Sequence, residues 1–359
     1  MNAQQVMGWN TFFEQHYQNY KGKRLLPARV ITKHGHSYQL YFEGQFLTAK
    51  VAGKFRYHAY LKKHFPVVGD WVVFRRIENS NEAIIHAVMP RKNCFVRKLP
   101  ISGGRRMSNG IIEGGTTEEQ VIAANIDTSF IVSGLDQDFD LRRIERFITL
   151  VYNSGSQPVV ILNKTDLCDD VSDFVNRVRD IAINIPILAI SVEKNINMDA
   201  LCPYLQPGKT VVFLGSSGVG KSTITNALLG EAKQKKQTIS TATGKGRHTT
   251  TSAELIIHPT GYTIIDTPGL REVQLWGEEK VLEQSFNDIK EIANRCRYQD
   301  CRHDKEPGCA VKQAFQNEWI SGERLESYKK QIAELQRLDE KKKQFERYIS
   351  RKMKHKRHK

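Results

Sequence analysis

Residues 211–230, VVFLGSSGVGKSTITNALLG, decide how the rest of the chain is read. An apolar run stops at a glycine-rich turn and gives way to Lys221, Ser222, Thr223 and a segment of helical character. Gly215, Ser216, Ser217, Gly218, Val219, Gly220, Lys221 and Ser222 fit the phosphate-loop pattern G-x-x-x-x-G-K-[ST], in the strand–loop–helix setting that gives the pattern its meaning. Glycines let successive backbone amides turn inward as a nest, and the following helix points its positive end at the same place. The spacing therefore predicts a cradle for nucleotide phosphates running from Gly215 to Thr223. Lys221 would reach the β- and γ-phosphates, and the Ser222 hydroxyl would ligate Mg2+.

A phosphate cradle does not select a base. Asn163-Lys164-Thr165-Asp166 ends the apolar run PVVIL and offers a reader. The Asp166 carboxylate can accept two charge-assisted hydrogen bonds, from the N1–H and the exocyclic amine of guanine. Asn163 would brace the loop, and the aliphatic stem of Lys164 could lie across the base plane. Ser191 and Val192, after another apolar run, supply a second backbone contact to the guanine oxygen. Asp266 and Gly269 in DTPG form a third strand-end motif, with Asp266 holding Mg2+ through water and the Gly269 amide facing the γ-phosphate. Between the phosphate loop and this motif, residues 241–252 (TATGKGRHTTTS) read as a mobile loop whose threonine completes the Mg2+ shell. Thr250 is the expected ligand, with Thr249 and Thr251 as neighbours. A P-loop ATPase or kinase, in which NKTD is only a turn, remains the rival reading of these residues.

The runs TSFIVSGL, PVVILNKTD, IPILAISVE, TVVFLGSSG and YTIIDTPG are nearly continuous in apolar residues, as buried parallel strands are. Motifs at their ends are expected where ligands bind at the carboxyl edge of an open α/β sheet. Residues 28–95 differ: five short β-rich runs separated by turn signals predict a small barrel, an OB-fold or another small barrel of the same pattern. Lys50, Lys54, Arg56, Lys62, Lys63, Arg75 and Arg76 make that barrel basic, and Tyr41, Phe42, Phe55 and Tyr57 are either stacking platforms or core. Residues 96–118, rich in glycine, read as a flexible linker.

The 359 residues carry 54 Lys+Arg against 39 Asp+Glu, a net charge of +15 that favours a polyanionic partner. Much of it sits in residues 341–359, KKKQFERYISRKMKHKRHK, which read equally as a solvated tail or as an arm for RNA phosphates. No N-terminal apolar leader and no apolar run of about 20 residues is present, so a membrane role is not expected. Cys296-x4-Cys301-x-His303-x5-Cys309 supplies three thiolates and an imidazole, the donor set of a closed, structural zinc site. Cys94, Cys168 and Cys202 read as packing residues. Leu325, Tyr328, Ile332 and Leu335 recur at helical spacing and predict a stripe packed on the zinc unit, or, second, a groove for a partner helix.

The set GSSGVGKST, GKGRHTTT, DTPGL, NKTD and SVE resembles the GTPase superfamily, but in rotated order, since Asn163 precedes Gly215. With a small barrel before it and a cysteine–histidine cluster after it, the chain is similar to the RsgA (YjeQ) ribosome-biogenesis GTPases over roughly residues 28–320. The resemblance implies a multidomain α/β protein: an N-terminal extension (1–27), an OB-like β-barrel (28–95), a linker (96–118), a circularly permuted P-loop GTPase domain (119–276), and a helical zinc-binding domain with a basic tail (277–359). It implies a cytoplasmic, monomeric, Mg2+-dependent GTPase that binds the small (30S) ribosomal subunit and 16S rRNA late in maturation, with hydrolysis to GDP stimulated by the subunit and coupled to release. Leu270 stands where many GTPases place a water-orienting glutamine, and the resemblance points to His248 in that role. A non-catalytic RNA-binding latch that uses GTP only as a conformational ligand is the remaining alternative.

Overall fold

A computed structural model describes residues 3–59, 62–98, 106–108, 111–113, 119–230, 253–266 and 280–357. Two short helices, α1 (Ala3–Val6) and α2 (Thr11–Tyr17), precede a barrel of β1 (Leu26–His34), β2 (Ser37–Phe42), β3 (Gln45–Val51), β4 (Trp71–Arg76) and β5 (Glu82–Val88). Helix α3 (Gly53–His58) lies between β3 and β4. The barrel closes in the order β1–β2–β3–β5–β4–β1, with β3 and β5 parallel and the other pairs antiparallel. Alternation along β2 and β3 turns Tyr38, Leu40, Phe42, Leu47, Ala49 and Val51 inward. Phe42 is thus core, and Phe55 packs against the same cluster. Tyr57 stays 76% exposed.

The N-terminal helices are anchored by burial. Met7 and Phe13 are buried, and the Trp9 ring meets Trp71 edge-on at 4.7 Å. Arg29 of β1, fully buried, donates to the carbonyl oxygens of Met7, Gly69 and Asn125 and so joins three segments distant in sequence. Burial pulls its guanidinium down to about 10, outweighing the opposing pull of the Asp127 and Asp70 carboxylates.

The expected linker is partly strand. β6 (Cys94–Lys98) pairs antiparallel with β9 (Glu119–Ala124), and β7 (Arg106–Ser108) pairs with β8 (Ile111–Glu113). Phe95 and Val121 are buried, so apolar side chains at the ends of the glycine-rich stretch hold a ladder that its composition hides.

The second half of the chain is an open α/β sheet. β10 (Thr128–Gly134), β11 (Gln157–Asn163), β12 (Ile187–Ala189), β13 (Thr210–Leu214) and β15 (Thr263–Asp266) run parallel in the order β12–β11–β10–β13–β15. Every residue of β10 and β13 is buried, as two covered faces require. Strand β14 (Glu254–Ile257), absent from the sequence-based expectation, adds antiparallel to β15 and pairs Glu254 with Thr32 of β1, which makes barrel and α/β sheet one continuous ladder. Helices α4 (Leu141–Ser154), α5 (Val171–Arg179) and α6 (Lys221–Leu229) follow β10, β11 and β13. The base motif's strand, β11, thus precedes the phosphate strand, β13, along the chain, while β10 separates the two in the sheet.

The C-terminal unit comprises α7 (Lys280–Ser285), α8 (Asn287–Ala293), α9 (Ala310–Gln316) and α10 (Gly322–Arg357). Leu325 and Leu335 are buried there with Tyr328 and Ile332 beside the cysteines, so the stripe packs on the cysteine–histidine unit. Residues 341–357 continue α10 as helix. The unit docks on α4. Arg324, at 7% exposure, donates to Glu145 at 2.5 Å, to both Asp288 oxygens and to the Ser285 carbonyl, and stacks 4.2 Å over the Phe286 ring. Arg146 adds a two-pronged pair with Glu334 at 2.9 Å. Arg324→Ala leaves the buried Glu145 carboxyl without its partner; such a loss costs about 3–5 kcal/mol. Urea unfolding followed at the C-terminal unit should show its midpoint fall sharply, whereas Arg146→Ala, at the exposed rim, should shift it by under about 1 kcal/mol.

Candidate nucleotide and metal sites

Four of the five parallel strands deliver recognised motifs to one edge. Asn163 ends β11, Ser191 follows β12, Gly215 follows β13, and Asp266 ends β15. Val212 pairs with Ile265, which brings Asp266 out beside the phosphate loop. The loop is shaped by glycine: Gly215, Gly218 and Gly220 have φ of +143°, +85° and +99°. A Cβ on Gly215 would lie 2.3 Å from the Val132 carbonyl oxygen, and one on Gly220 would lie 2.2 Å from Asn163 Nδ2. Only glycine permits that approach. Val219 is buried as the loop's anchor, whereas Ser217, Gly218, Ser222 and Thr223 face solvent at the start of α6. The Lys221 ammonium donates to the carbonyls of Gly215, at 2.8 Å, and Ser216.

Asn163 joins the two halves of the site. Its side-chain NH2 donates to the Val219 carbonyl at 2.9 Å, and its side-chain oxygen accepts from the Val192 N–H at 3.3 Å. One buried amide therefore touches both the phosphate loop and the loop after β12. Thr165 donates its N–H to the Ile190 carbonyl at 3.2 Å, and its buried hydroxyl has no hydrogen-bond partner among the described residues. The Ser191 hydroxyl donates to the Asp166 carboxylate, which is itself exposed at the cleft. Lys164 adopts φ +68° and donates to Asp136 at 2.5 Å.

That last contact introduces residues that the motif reading passed over. Asp138 accepts from Arg143 and from the Ser216 hydroxyl, each at 2.9 Å, and Arg143 also donates to Ser216 at 2.9 Å. The Lys164 hydrogen bond holds the Asp136 carboxyl below the usual carboxylate range, and Arg143 with Ser216 does the same for Asp138. Both acids follow a buried strand that ends at this same edge. That position, shared with the recognised motifs, was the available signal. Thr249, Thr250, Thr251, His248 and Gly269 lie outside the described residues.

In the C-terminal unit, the ligand atoms of Cys296, Cys301, His303 and Cys309 lie within 4.8 Å of one another. Sγ of Cys296 is 4.0 Å from Sγ of Cys309, and His303 Nδ1 is 3.7 and 3.5 Å from those two sulfurs. Tetrahedral zinc, with bonds of about 2.3 Å to sulfur and about 2.0–2.1 Å to nitrogen, would set such atoms roughly 3.5–3.8 Å apart. The donor set and its spacing fit that ion. His303 turns at φ +58°, and burial lowers its pKa, favouring the neutral imidazole that a metal requires.

This architecture and site match known proteins over nearly the whole chain. A family model described as RsgA GTPase matches residues 105–276, and one described as 50S ribosome-binding GTPase matches residues 210–349. The small ribosomal subunit biogenesis GTPase RsgA of Syntrophotalea carbinolica is 42% identical, covering 93% of this chain and 90% of its own length. That of Opitutus terrae is 41% identical, covering 90% and 87%. The crystal structure of YjeQ from Thermotoga maritima superposes with a TM-score of 0.62 at 27% identity, covering 87% of this chain and 98% of that one. YloQ, a circularly permuted GTPase, shares the fold with a TM-score of 0.60 at 23% identity, covering 88% and 97%. Phosphate loop, guanine-type base loop, rotated strand order and overall likeness agree: the chain belongs to the RsgA GTPase family.

Proposed function

We propose that this protein binds GTP with Mg2+ in the strand-end cleft and hydrolyses it to GDP while engaged with the small ribosomal subunit and its 16S rRNA, as a cytoplasmic, monomeric maturation factor. The observation that carries this reading is the Asn163 amide, which ties the Val219 turn of the phosphate loop to the loop after β12. A single nucleotide can then span from base reader to phosphate cradle. Asp166 receives the guanine N1–H and amine, with Ser191 orienting it and the Val192 backbone region facing the guanine oxygen. Lys164 covers the base and Thr165 shapes the turn. The amides from Gly215 to Gly220 and the start of α6, including Thr223, hold the phosphates, and Lys221 moves from its loop carbonyls to the β- and γ-phosphates. Ser222, Asp266 and Thr250 are assigned to Mg2+, Gly269 to the γ-phosphate and His248 to the attacking water. Zinc is assigned to Cys296, Cys301, His303 and Cys309 as a structural ion that shapes the C-terminal unit.

The division into extension, barrel, permuted GTPase domain and zinc unit carries a mechanical proposal. The C-terminal unit follows the Asp266 motif in the chain and rests on α4 through Arg324 and Arg146. Nucleotide state therefore adjusts how barrel and zinc unit grip RNA. Among the described residues no helix is long and apolar enough to cross a membrane.

Three outcomes test these roles. Asp166→Asn removes the charged acceptor, and charge-assisted bonds are worth about 1.5–3 kcal/mol. GTP affinity should fall by about 10–150-fold and preference should swing toward xanthosine triphosphate; equilibrium binding checks it, and an unchanged preference contradicts the guanine assignment. His248→Ala should leave GTP binding within about twofold and depress subunit-stimulated turnover by about 10²-fold or more, as loss of a water-positioning group does; unchanged turnover removes His248 from the mechanism. Zinc should be released as pH falls, because thiolates and imidazole must lose protons to bind it. Metal analysis after dialysis should find about one zinc per chain at pH 7.5 and loss near pH 5, with Cys301→Ser binding far more weakly.

A further inference from the structure

The turn between β10 and α4, residues 135–140, belongs to none of the nucleotide motifs, yet it holds side chains from two of them. Asp136 accepts from the Lys164 ammonium at 2.5 Å, and both side chains are more than two-thirds buried, at 28% and 29% exposure. Its other oxygen accepts the Asp138 N–H at 3.1 Å, which folds the carboxylate back over the strand end. A Cβ on Gly134 would lie 3.0 Å from that oxygen, a tight contact that glycine spares the fold-back. Asp138, two residues on, grips the Ser216 hydroxyl directly and through Arg143.

We propose that Asp136 and Asp138 are positioning residues that make this turn a bracket across the nucleotide, Asp136 setting Lys164 over the purine and Asp138 with Arg143 setting the phosphate loop at Ser216. Lysine has a flexible four-carbon stem and a strongly hydrated head. Left free, the head would draw the stem off an apolar base into water. Anchored by Asp136, the stem is preorganised where the purine lies, and the ordering cost falls before the ligand arrives. The positive charge is neutralised in place, so the contact presents hydrocarbon. Both acids act through other side chains, Asp136 through Lys164 and Asp138 through Arg143 and Ser216, so the bracket acts equally on ground state and transition state. It therefore belongs to binding, and turnover at saturation does not depend on it.

This inference rests on the guanine-nucleotide reading of the cleft, and the test separates the two. With the full-length chain, dissociation constants for GDP, inosine diphosphate, ADP and guanosine are measured by competition, together with KM and kcat for GTP, for wild type, Asp136→Asn, Asp136→Glu and Asp138→Asn. Asp136→Asn should weaken GDP, inosine diphosphate and guanosine by a common factor of about tenfold and raise KM alike, with kcat within about twofold. Asp136→Glu, which keeps the charge, should recover most of that loss. Asp138→Asn should weaken GDP by a similar factor while leaving guanosine unchanged, because its contact is at the phosphate end. An unchanged GDP constant in Asp136→Asn, or a fall in kcat at constant KM, overturns the proposal and leaves the guanine site standing. So does equal weakening of guanosine by both variants, since a turn that merely held the fold together would do that. A wild-type chain that binds ADP as tightly as GDP overturns the guanine reading and the proposal with it.

Discussion

The side-chain amide of Asn163 is the contact on which the site depends. It is 3% exposed, donates to the Val219 carbonyl and accepts from the Val192 N–H, and it lies so close to Gly220 that no other residue fits there. Removing it strands a buried carbonyl and a half-buried N–H, each costing about 1–3 kcal/mol when unmatched. Its consequence for chain order is larger than its energy. Because the two loops meet through space at the carboxyl edge of parallel strands, the order in which the chain visits them is free to rotate. Parallel strands β11, β10 and β13 stay in register whichever is made first, so the connections change and the cleft survives.

Around that cleft, buried arginines do the joining. Arg29 binds the N-terminal helices, the barrel and the start of the α/β sheet through three carbonyls. Arg324 binds the C-terminal unit to α4 through Glu145, and holds Asp288 within its own unit. The planar guanidinium suits this work, since one group can satisfy several acceptors in a fixed fork. Helix α4 is consequently a shared element. Its first turn touches the phosphate loop through Arg143, and its next turn carries Glu145 and Arg146, on which the C-terminal unit rests. One helix therefore touches both the phosphate loop and the C-terminal unit.

Much of this was legible in the sequence because the chemistry sits at strand ends. Buried parallel strands are unbroken apolar runs, and the polar or glycine residues that stop four of them, Asn163, Ser191, Gly215 and Asp266, gather at one edge. The cysteine–histidine cluster was legible from spacing, and the Leu325–Leu335 stripe from helical period. What escaped had mixed signals. β14 is four residues long and half covered, and the Pro259–Gly261 turn that pairs it with β15 was its sole mark. The ladder of β6 and β9 is closed across a glycine-rich stretch, so its partners are far apart in sequence. Phe42 could be placed in the core only once its alternation with Tyr38 and Leu40 was seen as one barrel face. Asp136, Asp138 and Arg143 look like ordinary turn and helix-start residues, and only the fold reveals that Lys164 and Ser216 are what they hold.

The claim beneath all of this is that the two loops pinned by Asn163 serve one molecule. A crystal structure of the protein with GDP and Mg2+ tests it most directly. The account predicts one nucleotide lying along the strand ends, its guanine edge within hydrogen-bond distance of the Asp166 carboxylate and its β-phosphate cradled by the amides from Gly218 to Lys221. A nucleotide whose phosphates occupy the loop while its base turns away from Asp166, into a separate cleft, would contradict it.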